Sequence, residues 1–240
     1  MEEKERYKHL NKYLKEKFGE RTLKICIDGG FTCPNRDGTI SSGGCIFCSE
    51  RGSGDHIKFN DISLQVENYF KSYKSERANK FIAYFQNYTN TYDTIENLKL
   101  KYDSALINKN IVALAIATRP DCITDEICQL LKTYSDKYYV WVELGLQTSN
   151  ETTSILINRG YSNIQFTKAV NLLNKYNIDI VTHIMVGLPN EIFQDIINTV
   201  DFINSHNIQG LKIHSTYVVK HTILANMLLN GTYIPITLEY

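Results

Sequence analysis

The sequence predicts an α/β protein built on a parallel sheet, and three observations carry that expectation. Six short runs rich in Ile, Val and aromatic residues recur along the chain, segments with apolar residues three and four apart lie between them, and every chemically suggestive motif falls just after one of the runs. Repeated βα alternation needs crossover connections, so the strands should be parallel, with ligands gathered at their C-terminal ends. A doubly wound sheet and an open barrel satisfy this pattern equally.

The expected strands are Leu23 to Asp28, Phe81 to Gln86, Ile111 to Ala117, Tyr139 to Gly145, Ile178 to Gly187 and Leu211 to Val218. Leu64/Tyr69, Ile127/Leu130/Leu131, Ala169/Leu172/Leu173 and Ile196/Ile197/Val200 mark amphipathic helices between them. Ahead of the first strand, Tyr7, Leu10, Leu14 and Phe18 form an apolar stripe at helical spacing. The segment from Met1 to Lys24 holds eight basic and five acidic residues. With no Pro/Gly/Ser-rich linker and no internal repeat, the division is an N-terminal basic helix over 1–22 and one core domain over 23–240.

The 240 residues balance 26 basic against 26 acidic side chains, so global charge names no partner. Glu2, Glu3, Lys4, Glu5 and Arg6 are too charged for a signal peptide, and no apolar run approaches the roughly 20 residues of a membrane-spanning helix. A cytoplasmic protein without membrane contact is expected. In that reducing compartment the six cysteines point to metal or catalysis rather than disulfides.

Three of them, Cys33, Cys45 and Cys48, lie in the loop GGFTCPNRDGTISSGGCIFCSERGSGD, which also holds seven of the 13 glycines. Such a chain can wrap closely around a bulky ligand. Soft thiolates select zinc, copper(I) or iron–sulfur clusters. Three thiolates leave two readings open: His56 completes a Cys₃His zinc site, or three cysteines hold a four-iron cluster with one iron free for chemistry. Apolar Ile46 and Phe47 between two of the ligands would keep water away in either case. Cys26, Cys122 and Cys128 are expected to be small core hydrophobes.

In order along the chain, GFTCPNRDG, GGCIFC, YFQNYTNTY, TRPDC, ELGLQT, NRG and HIMVGLP resemble the bacterial radical SAM proteins related to the radical domain of the Elongator catalytic subunit. The resemblance implies a partial (β/α)₆ barrel, shortened here at its C-terminus where such proteins continue past Leu-Glu-Tyr. It implies that Cys33, Cys45 and Cys48 hold a [4Fe-4S] cluster whose free iron is chelated by S-adenosylmethionine. The eleven-residue gap between Cys33 and Cys45 departs from the usual three. An external one-electron reductant feeds such a cluster, methionine leaves, and a 5′-deoxyadenosyl radical abstracts hydrogen from a second substrate.

By strand order, the resemblance assigns Gln86 or Asn90 to the methionine amino group and Glu143, with Gln147 beyond it, to the ribose hydroxyls. It assigns Arg159 to the methionine carboxylate and Gly187 to close approach of adenine. Gly-Leu-Pro-Asn-Glu stands where a second glycine is expected, and Arg-Gly-Tyr where Arg-Gly-His is expected. The second substrate it implies is the wobble uridine of tRNA, toward which the basic N-terminal helix would add phosphate contacts. The competing class is a zinc- or cluster-stabilised RNA-binding module without turnover.

Overall fold

The computed structural model describes residues 6–52 and 61–237. Its centre is a six-stranded, wholly parallel sheet: β1 (Thr22–Ile27), β2 (Lys80–Phe85), β3 (Ile111–Thr118), β4 (Tyr139–Gln147), β5 (Asp179–Val186) and β6 (Gly210–Ser215). Spatial order equals chain order, β1-β2-β3-β4-β5-β6. A doubly wound sheet reverses direction at a switch point. This one never does, so it curls into a half-barrel, and the choice that periodicity left open is settled.

Helices return the chain on the outside. These are α2 (Ile62–Lys71), α3 (Ile95–Ala105), α4 (Asp125–Ser135), α5 (Glu151–Leu156), α6 (Asn163–Lys175), α7 (Phe193–Asn204) and α8 (Ile223–Leu229), with α1 (Leu10–Phe18) ahead of the sheet. Several start at a side-chain cap that satisfies otherwise orphaned N–H groups: Asp61 before α2, Thr94 before α3, Thr124 before α4, and Ser162 with Gln165 as a capping box on α6.

Alternation along the strands gives two apolar layers. One strand face joins the helices in the main core, with Ile25, Ile27, Phe81, Phe85, Leu114, Ile116, Val142 and Leu144 packed against Val66, Leu98, Leu131 and Phe166. The other face lines the lumen with Ile82, Tyr84, Ala113, Ala115, Ala117 and Trp141. In α2 the inward residues are Ile62 and Val66, whereas Leu64 is exposed, one position off the expected stripe.

Helix α1 closes the N-terminal end of the lumen. Leu14 is buried there with Tyr13 and Phe18 packed alongside, Lys80 donates to the Phe18 carbonyl at 2.7 Å, and Lys17 lies 3.7 Å from the Tyr139 ring centre. The expected stripe is therefore split. Leu14 and Phe18 pack, while Tyr7 and Leu10 face solvent together with Lys12 and Lys15. Among the described residues no helix is long and apolar enough to cross a membrane.

Candidate active site

The loop leaving β1 carries the three cysteines to the C-terminal rim of the barrel and is fastened there by neutral amides. Asn35, wholly buried, donates to the Asn158 carbonyl at 2.7 Å and points the same amide at the Cys45 sulfur, 3.7 Å away. Asn158 reciprocates on the Gly44 carbonyl at 2.7 Å. Arg36 folds back on the Cys48 and Ser49 carbonyls at 2.7 and 2.5 Å. Gly160 has φ +79°, and a Cβ there would stand 2.7 Å from Asn35 Oδ1, so the close docking of the loop on this turn requires glycine.

Ile46 is buried with Ile157, Leu188, Leu224 and Tyr233, and Phe47 packs on that cluster, so the Cys45–Cys48 pair stands on an apolar floor. Burial, followed by the neighbouring Cys48 and Cys33 thiols, pushes the Cys45 thiol up to about 12. Cys45 thus feels both other thiols, and holding the three as thiolates needs a compensating cation. Among the described residues no three Cys, His, Asp or Glu side chains close around a single metal ion. A cubane takes three thiolates, one per iron, and three free cysteines on this loop are the donor set it needs. His56 lies outside the described residues.

Around this loop, unpaired buried acceptors accumulate. Asn35 Oδ1, Asn87 Oδ1, Thr89 Oγ1 and Asn90 Oδ1 have no partner among the described residues. Buried polar atoms are rarely left so, and such a constellation suits a ligand rich in N–H and O–H groups. Asn90 is held by its Nδ2 on the Ala117 and Phe85 carbonyls (2.7 and 3.3 Å), which leaves Oδ1 as the available acceptor. Gln86, half-buried, follows β2 at the same rim. Gln147 ends β4 at φ +67°, just after a register shift against β5. Gly187 follows β5 at φ +84°, where Ile236 packs over it and the Tyr233 hydroxyl donates to its carbonyl at 2.8 Å.

Two of the residues assigned to S-adenosylmethionine, Arg159 and Glu143, are engaged within the chain. Arg159 is 0% exposed, and its five N–H groups are spent within the chain: on the Tyr161, Leu146 and Thr148 carbonyls, on Asn163, and at 3.5 Å on Glu151. In this arrangement the guanidinium braces the rim, tying the end of β4 to the start of α6. Arg119 is likewise engaged, forked on Asp121 at 2.7 and 2.9 Å and bonded to the Arg159 carbonyl.

Glu143 sits in the lumen, 2% exposed, with five donors on one carboxylate. They are Lys24 (2.6 Å), His183 Nε2 (2.7 Å), the Tyr84 hydroxyl (2.8 Å), Lys212 (3.2 Å) and Trp141 Nε1 (3.3 Å). Burial opposes its charge, but the His183 hydrogen bond and the charges of Lys24 and Lys212 outweigh that and hold the carboxyl far below the usual range. A carboxylate has about four lone-pair sites, so accepting ribose hydroxyls would require displacing one of these donors.

Cys122 and Cys128 are buried as expected, but Cys26 is exposed on the face of β1 that carries Lys24. Alternation showed that residues 24 and 26 share a face without showing which face is inside. The docking amides Asn35 and Asn158 went unrecognised in the sequence. The left-handed φ of +52° at Asn158, which asparagine tolerates, is the one trace of its role.

A family model described as the radical SAM superfamily matches residues 33–203. The uncharacterized protein YtqA of Bacillus subtilis is 41% identical over 226 residues, covering 90% of this chain and 68% of YtqA. The tRNA uridine(34) acetyltransferase of Methanocaldococcus infernus is 33% identical over 132 residues, 52% of this chain and 23% of that protein. Among solved structures, archaeal Elp3 from Methanocaldococcus infernus, with its N-terminus deleted, superposes with a TM-score of 0.64 at 21% identity over 90% of this chain. The chain spans 50% of that structure's length.

Proposed function

This chain belongs to the radical SAM superfamily of enzymes, and from that premise we propose that Cys33, Cys45 and Cys48 hold a [4Fe-4S] cluster at which S-adenosylmethionine is cleaved to attack a second substrate. The observation that carries the assignment is the docking of the three-cysteine loop at the barrel rim, on an apolar floor and beside unpaired buried acceptors. When bound, the cluster and S-adenosylmethionine supply the one-electron cleavage of the sulfonium and the hydrogen abstraction that follows; an external reductant feeds them.

The residues of the chain bind and exclude. Ile46 and Phe47 keep water from the sulfurs. Asn90 Oδ1 and Gln86 accept from the methionine amino group, Gln147 takes the ribose, and Gly187 gives adenine a side-chain-free approach once Ile236 yields. Glu143 stays with its five donors in the lumen, and Arg159 supports the rim from behind.

The second substrate in this reading is a tRNA wobble uridine. Its support is the partial likeness to a tRNA uridine(34) acetyltransferase and the exposed Lys12 and Lys15 of α1, a face suited to phosphate. An oxygen-sensitive cluster that needs a reductant is suited to the reducing cytoplasm.

Anaerobic reconstitution tests the cluster. Brown protein with about four irons per chain is expected. Single Ala replacements of Cys33, Cys45 or Cys48 should lose the iron, and those of Cys26, Cys122 or Cys128 should keep it. Colourless protein with one tightly held zinc would sink the assignment. For the substrate, tRNA nucleosides from cells with and without the gene are compared. A missing wobble modification with its precursor accumulated is expected, and identical profiles send the search elsewhere.

A further inference from the structure

Inward of the rim, the lumen gathers polar side chains that the chemistry above leaves unused. Lys24 precedes the end of β1, and Glu143 lies four residues before Gln147 at the end of β4. β4 overruns its neighbour, and Glu143 pairs with Ala117, one residue before the end of β3, so the cluster lies directly inward of the Asn90 anchor on the Ala117 carbonyl. Five of the six strands converge there: Lys24 from β1, Tyr84 from β2, Glu143 from β4, His183 from β5, and Lys212 and His214 from β6. The remaining strand, β3, presents only Ala113, Ala115 and Ala117 to the lumen.

The cluster carries more positive than negative charge. Two ammonium groups share the one carboxylate of Glu143, and among the described residues no second acid pairs with either lysine. Desolvation disfavours charge on His183 and His214, so neither adds to the count; burial also lowers Lys24, which Glu143 opposes, and two ammonium groups against one carboxylate leave one positive charge over. Of the six N–H groups on the two lysines, three are accounted for: one from Lys24 to Glu143, and two from Lys212, to Glu143 and to the Tyr84 hydroxyl at 3.0 Å. The side chains are 23% and 37% exposed, so the spare donors remain reachable. His183 Nε2 donates to the ionised Glu143, which makes its Nδ1 the acceptor for His214 Nε2 at 3.3 Å.

An under-neutralised, partly desolvated pair of ammonium groups is the setting in which an anion binds well. We propose that this lumen cluster seats an acidic group of the second substrate, a carboxylate or a phosphate, between Lys24 and Lys212, with Glu143 as the positioning residue that keeps both ammonium groups aimed inward. That the acid belongs to the second substrate rests on the function proposed above; the anion site itself does not. The rival account is a pure brace, in which Glu143 merely ties the outer strands β1 and β6 to the middle of the open sheet.

Cys26 is a built-in reporter, exposed, two residues from Lys24 on the same face, and within the fields of Lys24 and Lys212. In cluster-loaded full chain, its alkylation by iodoacetate and by iodoacetamide is followed by peptide mass spectrometry. The ratio of the two rates cancels thiol reactivity and reads the preference for an anion. It should be several-fold higher than for free cysteine, should fall toward the free value in Lys212→Gln, and should be kept in Lys212→Arg. In wild type, inorganic phosphate or succinate should protect Cys26 saturably, and whichever protects at lower concentration names the acid.

A ratio unmoved by Lys212→Gln, or no saturable protection by either anion, leaves the brace and overturns the proposal. So does protection by S-adenosylmethionine in competition with phosphate, because the anion would then be the cofactor's own carboxylate. Iron content and 5′-deoxyadenosine yield on the same samples report on the superfamily chemistry separately, so a failure there is distinguishable from a failure here.

Discussion

Glu143 is the residue on which the lumen turns. With five donors around a carboxylate that is 2% exposed, Glu143→Gln removes the charge that two half-buried lysines share while leaving the shape nearly unchanged. Breaking a buried ion pair from one side costs about 3 kcal/mol at the low end of the usual range, and partial exposure of the lysines places this case there. Urea unfolding at neutral pH measures it. A loss below about 1 kcal/mol, the worth of a surface pair, would show that water satisfies the lysines equally well. His214 gives the lumen a pH signature. Burial, then the charges of His183 and Lys212, lower it to about 4 from 6.5, with Glu143 acting the other way. The unfolded chain protonates near 6.5 and the folded chain only near 4, so this stability is complete above pH 6.5 and is lost as pH falls toward 4. The decline should be steeper in wild type than in His214→Gln, read from urea midpoints at about pH 7.5 and about pH 5. Equal declines would remove His214 from the account. The sequence marked Glu143 because a carboxylate inside Val-Trp-Val-Glu-Leu-Gly-Leu demands a partner. It did not mark the partners, since Lys24 and Lys212 lie 119 and 69 residues away on strands whose inward face alternation alone leaves undetermined.

Elements explain why some motifs mean something other than first reading suggests. Asn158-Arg159-Gly160 reads as a ligand contact, yet it is the turn on which the cysteine loop docks: Asn158 on Gly44, Gly160 under Asn35, and Arg159 tying β4 to the start of α6. Long-range pairing between neutral amides leaves no periodicity or charge pattern, so it was invisible in the sequence, whereas the glycines and cysteines of the loop were plain. Gly160→Ala combines φ +79° with a 2.7 Å approach to Asn35 Oδ1 and should cost about 1–3 kcal/mol while loosening the cluster loop. Faster iron loss to a chelator than in wild type is the expected result; unchanged iron retention would show that the turn tolerates a side chain. Helix α1 is tested by Leu14→Ala, which opens a cavity between the helix and Trp141 and should cost about 2–4 kcal/mol, against little for the exposed Leu10→Ala. Similar melting shifts for the two would mean that α1 is not seated on the barrel. Five strand runs were legible to within two residues, and the sixth ends at Ser215, three residues before the expected Val218, because β-branched and aromatic runs bounded by Gly, Asn and Asp mark buried parallel strands directly.

At the scale of the whole molecule, sequential strand order sets the function. A sheet that never reverses has no switch-point crevice, and its C-terminal ends converge on one rim. The cysteine loop, Asn90, Gln147 and Gly187 follow four different strands to that rim, while Glu143 and its lysines occupy the lumen inside it. Parallel alternation was readable in the sequence, but curvature was not, because strand order across the sheet leaves no mark on periodicity. The barrel thus presents a thiol-lined mouth beside a basic patch of the lumen, which the proposals above assign to the cofactor and to the second substrate. The most direct test is the yield of 5′-deoxyadenosine from anaerobically reconstituted protein given S-adenosylmethionine and dithionite. The account predicts its formation by wild type and by Cys26→Ala, and none by Cys45→Ala; product from Cys45→Ala equal to wild type, or none from iron-loaded wild type, would contradict it.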